Sequence, residues 1–113
     1  MPMITWEEFE KVDIRVGTIT SVEDNEKAIK PAYKIWVDLG EEIGIKQSSA
    51  QLTKLYKKED LIGKKVICVT NFEPKLIAGF KSEILVAGFY RKDNGAVVLA
   101  VPDKDIHNGA KLL

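Results

Sequence analysis

Apolar and polar side chains alternate through several short runs of this chain, and that two-residue period limits its fold more than any other feature. An alternating run buries one face of a strand and leaves the other face in water. Gly17 interrupts the first run, and a glycine inside a strand predicts a bulge or sharp coil. The runs predict strands over residues 12–22, 33–39, from 43 onward, 65–70, 82–90 and 96–101.

Two segments carry the signals of short helices. Thr5 and Glu8 have the spacing of a capping box, which predicts a helix or turn over residues 5–10. The serine pair 48–49 precedes apolar side chains at helical spacing, which predicts a second helix over residues 50–56. The alternative for this pair is that one serine caps the helix and the other stays free to hold a ligand.

Three strands, a short helix and two further strands follow one another in the order of an OB-fold, a small five-stranded β-barrel. We therefore predict an all-β protein, one OB-fold domain over residues 1–113 with short helices and terminal extensions. The strand count alone leaves an SH3-like barrel open. OB-folds bind ligands on the exposed face of strands 2 and 3. We expect that face to carry Lys34, Trp36 and Lys46.

The charges balance overall but not along the chain. The formal net charge is zero, which argues against strong nonspecific binding of polyanions. Residues 1–44 carry ten acidic and five basic side chains, and residues 45–113 carry seven acidic and twelve basic ones. The halves therefore differ by a net −5 against +5. Either the surface is evenly mixed in space, or one basic face is available to RNA phosphates or acidic peptides.

The amino-terminal residues are acidic and lack the basic-then-apolar order of a signal peptide, and no apolar run is long enough to span a membrane. We therefore expect a cytoplasmic protein without membrane insertion. The single cysteine, Cys68, lies in an apolar run and is expected to be a small buried side chain.

Catalytic chemistry is not indicated. The chain has one histidine, His107, and one cysteine, which together cannot supply a zinc site. No glycine-rich phosphate loop is present, and no triad of nucleophile, base and orienting group is suggested. We expect neither enzymatic activity nor a cofactor.

The stretch from Asn71 to Leu85 predicts a loop between two strands. Leu76, Ile77 and Phe80 lie in it beside two lysines. If these apolar side chains remain near water, the loop is a binding surface; the alternative is that Leu76 and Ile77 fold beneath it.

This stretch also resembles a known signature, Asn-Leu-x-Pro-x-x-x-x-Gly-x-x-Ser-x-x-Met. The signature belongs to the tRNA-binding domain shared by the C-terminal appendage of methionyl-tRNA synthetase and endothelial monocyte-activating polypeptide II. The segment Ala78 to Glu83 is more similar to the CsaA-like members, which are small, free-standing and described as export-related chaperones. The matching positions are Asn71, Pro74, Gly79 and Ser82, while Phe72 replaces Leu and Leu85 replaces Met.

Three further segments resemble the same family. Residues Asp13 to Ile19 are similar to its Asp-Ile/Leu-Arg-Val-Gly opening, and Ile45 to Leu52 to its strand-to-helix junction in the CsaA-like form. The tail from Pro102 to Leu112 resembles its closing stretch. In free-standing relatives the terminal regions build a homodimer, so the resemblance implies a homodimer here.

The resemblance implies one of two functions. The first is a chaperone for protein export that binds unfolded proteins or preproteins and also has tRNA-binding capacity. The alternative is a structure-specific tRNA-binding protein without a chaperone role. We expect the peptide-binding walls to be Trp36, Leu76, Ile77 and Phe80, with Lys46, Lys75 and Lys81 steering acidic partners. The expected RNA-binding residues are Lys46, Gln47, Ser49, Asn71, Lys75, Lys81 and Ser82.

Overall fold

The computed structural model describes all residues from 1 to 113. Five antiparallel strands form the main sheet in the order β3-β2-β1-β4-β7, and the two edge strands, β3 and β7, approach one another. The sheet is thereby a nearly closed barrel, and the predicted all-β OB-fold is confirmed. The strands are β1 (Ile14–Asp24), β2 (Tyr33–Asp38), β3 (Ile45–Ala50), β4 (Lys65–Val69), β5 (Lys75–Ile77), β6 (Phe80–Ser82), β7 (Leu85–Val86), β8 (Gly88–Tyr90) and β9 (Val97–Leu99).

The first strand is long because it serves two neighbours. Its first half pairs with β4 and its second half with β2. The predicted bulge at Gly17 is wrong, because pairing with Val66 is regular there, and the register instead shifts between Ile19 and Ser21. Gly17 is needed for another reason. A Cβ at this position would clash with Val37 and lie 2.8 Å from Cδ2 of Leu39.

The barrel interior is a cluster of twelve buried apolar residues, which come from β1, β2, β4, β7 and β9 and from the segments between strands. Ile19, Ile35, Leu39 and Val66 are completely inaccessible to water. Cys68 is among them, and burial raises the pKa of its thiol to about 12. The expectation that Cys68 packs as a small apolar side chain is confirmed.

The predicted helix over residues 50–56 is wrong. Ser48 is only 2% exposed and lies within β3, opposite Ile35. Neither serine begins a helix. Residues 52–56 form a single turn, closed by a hydrogen bond from the Tyr56 N–H to the Leu52 carbonyl. The second helix is α2 (Lys58–Leu61), whose Leu61 side chain enters the core.

The predicted loop between residues 71 and 85 contains a hairpin, β5–β6. Ala78 and Gly79 form its turn with φ angles of 47° and 77°. Two successive residues with positive φ are what a two-residue hairpin turn requires. The predicted strand over 82–90 is also divided. β7 belongs to the barrel, whereas β8 pairs with β9 in a separate hairpin.

The two ends of the chain meet beside the first half of β1. The capping box at Thr5 is present and begins α1 (Trp6–Glu10), as predicted. The tail runs along β1, where the N–H groups of Gly109 and Leu112 donate to the carbonyls of Val16 and Ile14. The longer of the two helices, α1, has five residues, so neither helix could span a membrane.

Candidate ligand-binding surface

The outer face of β2 and β3 centres on Trp36. Residues paired across antiparallel strands share a face. Trp36 therefore lies beside Gln47, and Lys34 beside Ser49. Lys46 pairs with the buried Val37 and so lies on the opposite face, which corrects the prediction that it accompanies Trp36.

The β5–β6 hairpin is fastened along the free edge of β3. The side-chain amide of Gln47 donates to the Lys81 carbonyl at 2.7 Å, and the Ser49 N–H donates to Oγ of Ser82 at 3.1 Å. The Glu83 N–H completes the seam by donating to the Gln47 carbonyl at 2.8 Å. Gln47 and Ser82 therefore already use polar groups to position the hairpin, and an RNA contact from either would compete with these bonds.

Phe80 supports Trp36 from below. The two rings meet edge to face, with centroids 5.5 Å apart, and Nζ of Lys34 lies 5.4 Å from the Phe80 centroid. An edge-to-face pair contributes about 1 kcal/mol beyond the burial of its area. Phe80 is only 9% exposed. Its ring consequently fixes the orientation of Trp36 and Lys34 and offers little free surface to a ligand.

The hairpin has two faces, and the predicted site residues are divided between them. Leu76 and Lys81 are paired and share the solvent face, where Leu76 is 73% exposed. Ile77 pairs with Phe80 on the face toward the barrel. Lys75 pairs with Ser82 on that same face, at the open end of the hairpin. The structure thus does not bring Trp36, Leu76, Ile77 and Phe80 into one wall.

Asn71 joins the loop before the hairpin to the N-terminal segment. Its Oδ1 accepts a hydrogen bond from the Asp13 N–H at 3.0 Å, and its Nδ2 donates to the Lys11 carbonyl at 2.6 Å. Both ends of the amide are therefore engaged within the protein.

The lysines of this region are free of carboxylate partners. The ion pairs of the structure are Arg15 with Asp13, Arg15 with Glu42, and Lys58 with Asp24. Lys34, Lys46, Lys75 and Lys81 belong to none of them. The charges of Lys34, Lys75 and Lys81 are therefore available to attract anionic groups to the hairpin and the Trp36 face.

Residues 14–111 match the model of a protein family described as Putative tRNA binding domain. The chain belongs to this tRNA-binding-domain family. It is 51% identical to the CsaA chaperone protein from Picrophilus torridus, with a TM-score of 0.91 over 98% of this chain and 100% of that one. It is 46% identical to the chaperone CsaA from Bacillus anthracis, with a TM-score of 0.91 over 99% and 100% of the two chains.

Methionine–tRNA ligases are also similar to this chain, but they are several times longer than it. The ligase of Pyrococcus furiosus is 41% identical over 113 residues, which make up 99% of this chain and 15% of the ligase. The chain thus spans about 15% of the length of the ligases it matches. The similarity to these enzymes concerns a domain of the tRNA-binding-domain family, and most of each ligase lies outside it.

Several positions that mark the tRNA-binding-domain family have structural roles in this chain. Gly79 permits the hairpin turn, Ser82 fastens the hairpin to β3, and Asn71 holds the N-terminal segment. The signature therefore predicts the shape of the hairpin region. It does not by itself select the side chains that touch a ligand.

An apolar groove was missed by sequence reasoning. It lies near the gap between β3 and β7, has a volume of about 510 Å³, and its lining includes Leu52, Leu85, Phe89 and Tyr90. The available signal was the pair Phe89-Tyr90. Adjacent aromatic residues in a strand point to opposite faces, so at least one of them leaves the core.

Proposed function

We propose that this protein is a CsaA-like, cytoplasmic chaperone of protein export that binds unfolded segments of other proteins and preproteins and also binds tRNA. The carrying observation is the exposed Leu76 on the hairpin, with the unpaired Lys81 beside it on the same face and the unpaired Lys75 at the open end. Support also comes from similarity along the whole chain to two solved structures described as CsaA chaperones.

Several exposed apolar side chains near the hairpin suit an unfolded polypeptide. Phe72 and Leu85 are exposed beside the open end of the hairpin, and Leu76 extends from its outer face. Burial of one leucine side chain contributes about 2 kcal/mol. We assign Trp36, Leu76 and Ile77 to peptide contacts, with Phe80 as the support of Trp36. We assign Lys75 and Lys81 to attraction of acidic segments.

A second candidate is tRNA binding without a chaperone role, and the family match favours it. Trp36 lies on the strand face with which OB-folds bind single-stranded nucleic acid, and its indole offers a plane for an unstacked base. Lys34, Lys75 and Lys81 would meet phosphates. The polar residues Gln47, Ser49, Asn71 and Ser82 remain proposed RNA contacts through groups that the hairpin seam does not use.

The salt dependence of binding and two sets of variants distinguish the two candidate functions. Binding of total tRNA and of an unfolded model protein is measured at low and moderate salt. Lys75→Glu combined with Lys81→Glu should reduce the magnitude of the salt slope for tRNA by about 2, because two phosphate contacts are lost. Leu76→Ser should weaken binding of the unfolded protein about 10-fold and spare tRNA.

Failure has a distinct form for each activity. If unfolded protein does not bind the wild-type protein while tRNA does, the chaperone role is wrong and the second candidate stands. If binding of unfolded protein falls as steeply with salt as tRNA binding, the apolar surface is not its basis. Lys104→Glu, in the exposed tail, is the matched charge control.

We further propose that two copies associate through the ends of the chain. Trp6, Phe9 and Val12 form an apolar cleft with Leu112 and Leu113, and Trp6 is 65% exposed there. Trp6→Glu should weaken the dimer about 30-fold, the loss of one aromatic anchor, and sedimentation equilibrium measures it. Ile29→Glu, at an exposed position in the turn after β1, is the control. An unchanged dimer in Trp6→Glu would place the interface elsewhere.

A further inference from the structure

The groove near the barrel gap continues into a second cavity. The first cavity, about 510 Å³, has no charged side chain in its lining. The second, about 470 Å³, shares Gln51, Tyr90 and Val97 with the first. Tyr90 is 77% exposed and borders both. We call this continuous surface the Tyr90 groove.

Free backbone groups border the Tyr90 groove on one side at the end of β3. The Ser49 N–H donates to the Ser82 hydroxyl, so odd-numbered residues of β3 direct their backbone groups away from β2. Gln51 is the next residue of that set. Its N–H donates no hydrogen bond within the chain, and its carbonyl accepts none.

The other side of the groove is a second free edge. In the β8–β9 hairpin, Ala100 and Arg91 donate backbone hydrogen bonds to Ala87 and Ala96. Because ladder bonds alternate along an antiparallel pair, the N–H and carbonyl of Tyr90 point away from β9. Such an edge accepts an additional strand.

The charged side chains of the Tyr90 groove are all positive and lie at one end of it. The second cavity contains Lys30 and Lys54 and no carboxylate. Neither lysine forms an ion pair, and Nζ of Lys54 donates only to the Asn94 carbonyl, at 2.9 Å. One end of the groove is therefore apolar, and the other end is positive.

We propose that the Tyr90 groove binds an extended segment of another polypeptide in which alternate side chains are apolar and one end carries aspartate or glutamate. The segment adds to the free edge of β8 through its backbone, places its apolar side chains against Leu52 and Tyr90, and places its carboxylates near Lys30 and Lys54. The proposal rests on the proposed chaperone function, since it names the kind of segment and a second place of contact. RNA is disfavoured because most of the groove is apolar and only two cations could meet phosphates.

The probe is a short, fluorescein-labelled peptide of alternating valine and threonine, amidated at its end and finishing in two glutamates. A matched peptide finishes in two lysines. Fluorescence anisotropy with the full chain should show about 10-fold tighter binding of the acidic peptide. In two further peptides, the backbone amides of either the odd or the even residues are N-methylated. One of these peptides should lose binding and the other should keep it, because only one set of N–H groups faces the edge of β8.

Two variants test the groove itself. Lys30→Glu combined with Lys54→Glu should reverse the preference between the peptides. Tyr90→Ser should weaken both peptides about 30-fold, as expected for an aromatic anchor. All three side chains are exposed, so the variants should melt as the wild type does. Lys104→Glu, in the exposed tail and outside the groove, should leave the peptide preference unchanged.

Four results would overturn the proposal. In the first, the wild type binds unfolded protein, but the groove variants bind the peptides as the wild type does. This result excludes the groove and leaves the proposed function standing. The second is a change from dimer to monomer in Tyr90→Ser, which assigns the groove to a second copy. The third is protection of Tyr90 by tRNA and by neither peptide, which assigns the groove to RNA. If the wild type binds neither the peptides nor unfolded protein, the proposed function falls and this inference with it.

Discussion

Replacing Gly17 with valine should lower the free energy of unfolding by about 3 kcal/mol, because the new side chain would be forced into a filled core. A Cβ alone would lie 2.8 Å from Cδ2 of Leu39 and 3.0 Å from the carbonyl oxygen of Asp38, and it would clash with Val37. The strand cannot retreat, since Gly17 is paired with Val66 on its other side. For a chain of this size, the melting temperature should fall by about 12 °C.

Two alanine variants separate crowding from backbone strain. Gly17 has no left-handed φ, so Gly17→Ala tests crowding alone. Gly44 has φ of 82° and nothing within 4 Å of a built Cβ, so Gly44→Ala tests the cost of the backbone conformation alone, about 1 kcal/mol. Urea unfolding measures both. If Gly17→Ala costs no more than Gly44→Ala, the barrel relaxes around the new methyl group and crowding is not what requires glycine.

Replacing Arg15 with methionine should cost about 2 kcal/mol and loosen the C-terminal tail. Arg15 is 13% exposed, and its Nε donates to Oδ1 of Asp13 at 2.9 Å. Its Nη1 donates to Glu42 at 3.0 Å and to the Gly109 carbonyl at 3.3 Å. Methionine would retain the packing but leave the half-buried Asp13 carboxylate with Thr70 as its side-chain donor, and unpaired buried groups are costly.

The stability loss in Arg15→Met should depend on pH. Burial raises the pKa of Asp13, but the hydrogen bonds from Thr70 and Arg15 and the charge of Arg15 outweigh it, so the pKa lies below its ordinary value of 3.8. A carboxyl with a lowered folded-state pKa stabilises above its unfolded pKa and loses that contribution as pH falls through the folded value. The difference between wild type and Arg15→Met should therefore be full at neutral pH and shrink below about pH 4.

Urea unfolding at pH 7 and pH 3 measures this difference. Lys58→Met is the matched control, because it removes a cation from the exposed pair with Asp24 and should have little effect at either pH. Hydrogen exchange at the amides of Gly109 and Leu112 reports the tail. A stability loss in Arg15→Met that is equal at both pH values would show that Asp13 is not the group involved.

Local chemistry was sufficient where neighbouring residues decide the conformation. The capping box at Thr5 predicted α1 because its donors and acceptors lie within one turn. The alternation of Tyr33, Ile35 and Val37 predicted β2 and its buried face. These features depend on a few adjacent side chains, and no distant contact was needed to interpret them.

The site was harder because it depends on which face each side chain takes. The prediction that Lys46 accompanies Trp36 required the odd residues of β3 to point inward, yet the inward set is Lys46, Ser48 and Ala50. A displacement of one residue exchanges the two faces of a strand. That exchange removed Lys46 from the Trp36 face and buried a serine that otherwise resembles a helix cap.

The sequence by itself determined the strand-rich class, the first helix, the buried thiol and the kinship of the hairpin region, since period, capping and signature spacing are local properties. Only the tertiary structure decided that residues 75–82 form a hairpin with two faces, that Gly17 is a close contact instead of a bulge, and that β3 and β8 leave free edges beside Tyr90. Those outcomes follow from register between distant strands, which is set by the packing of the whole barrel and is not written in any single segment.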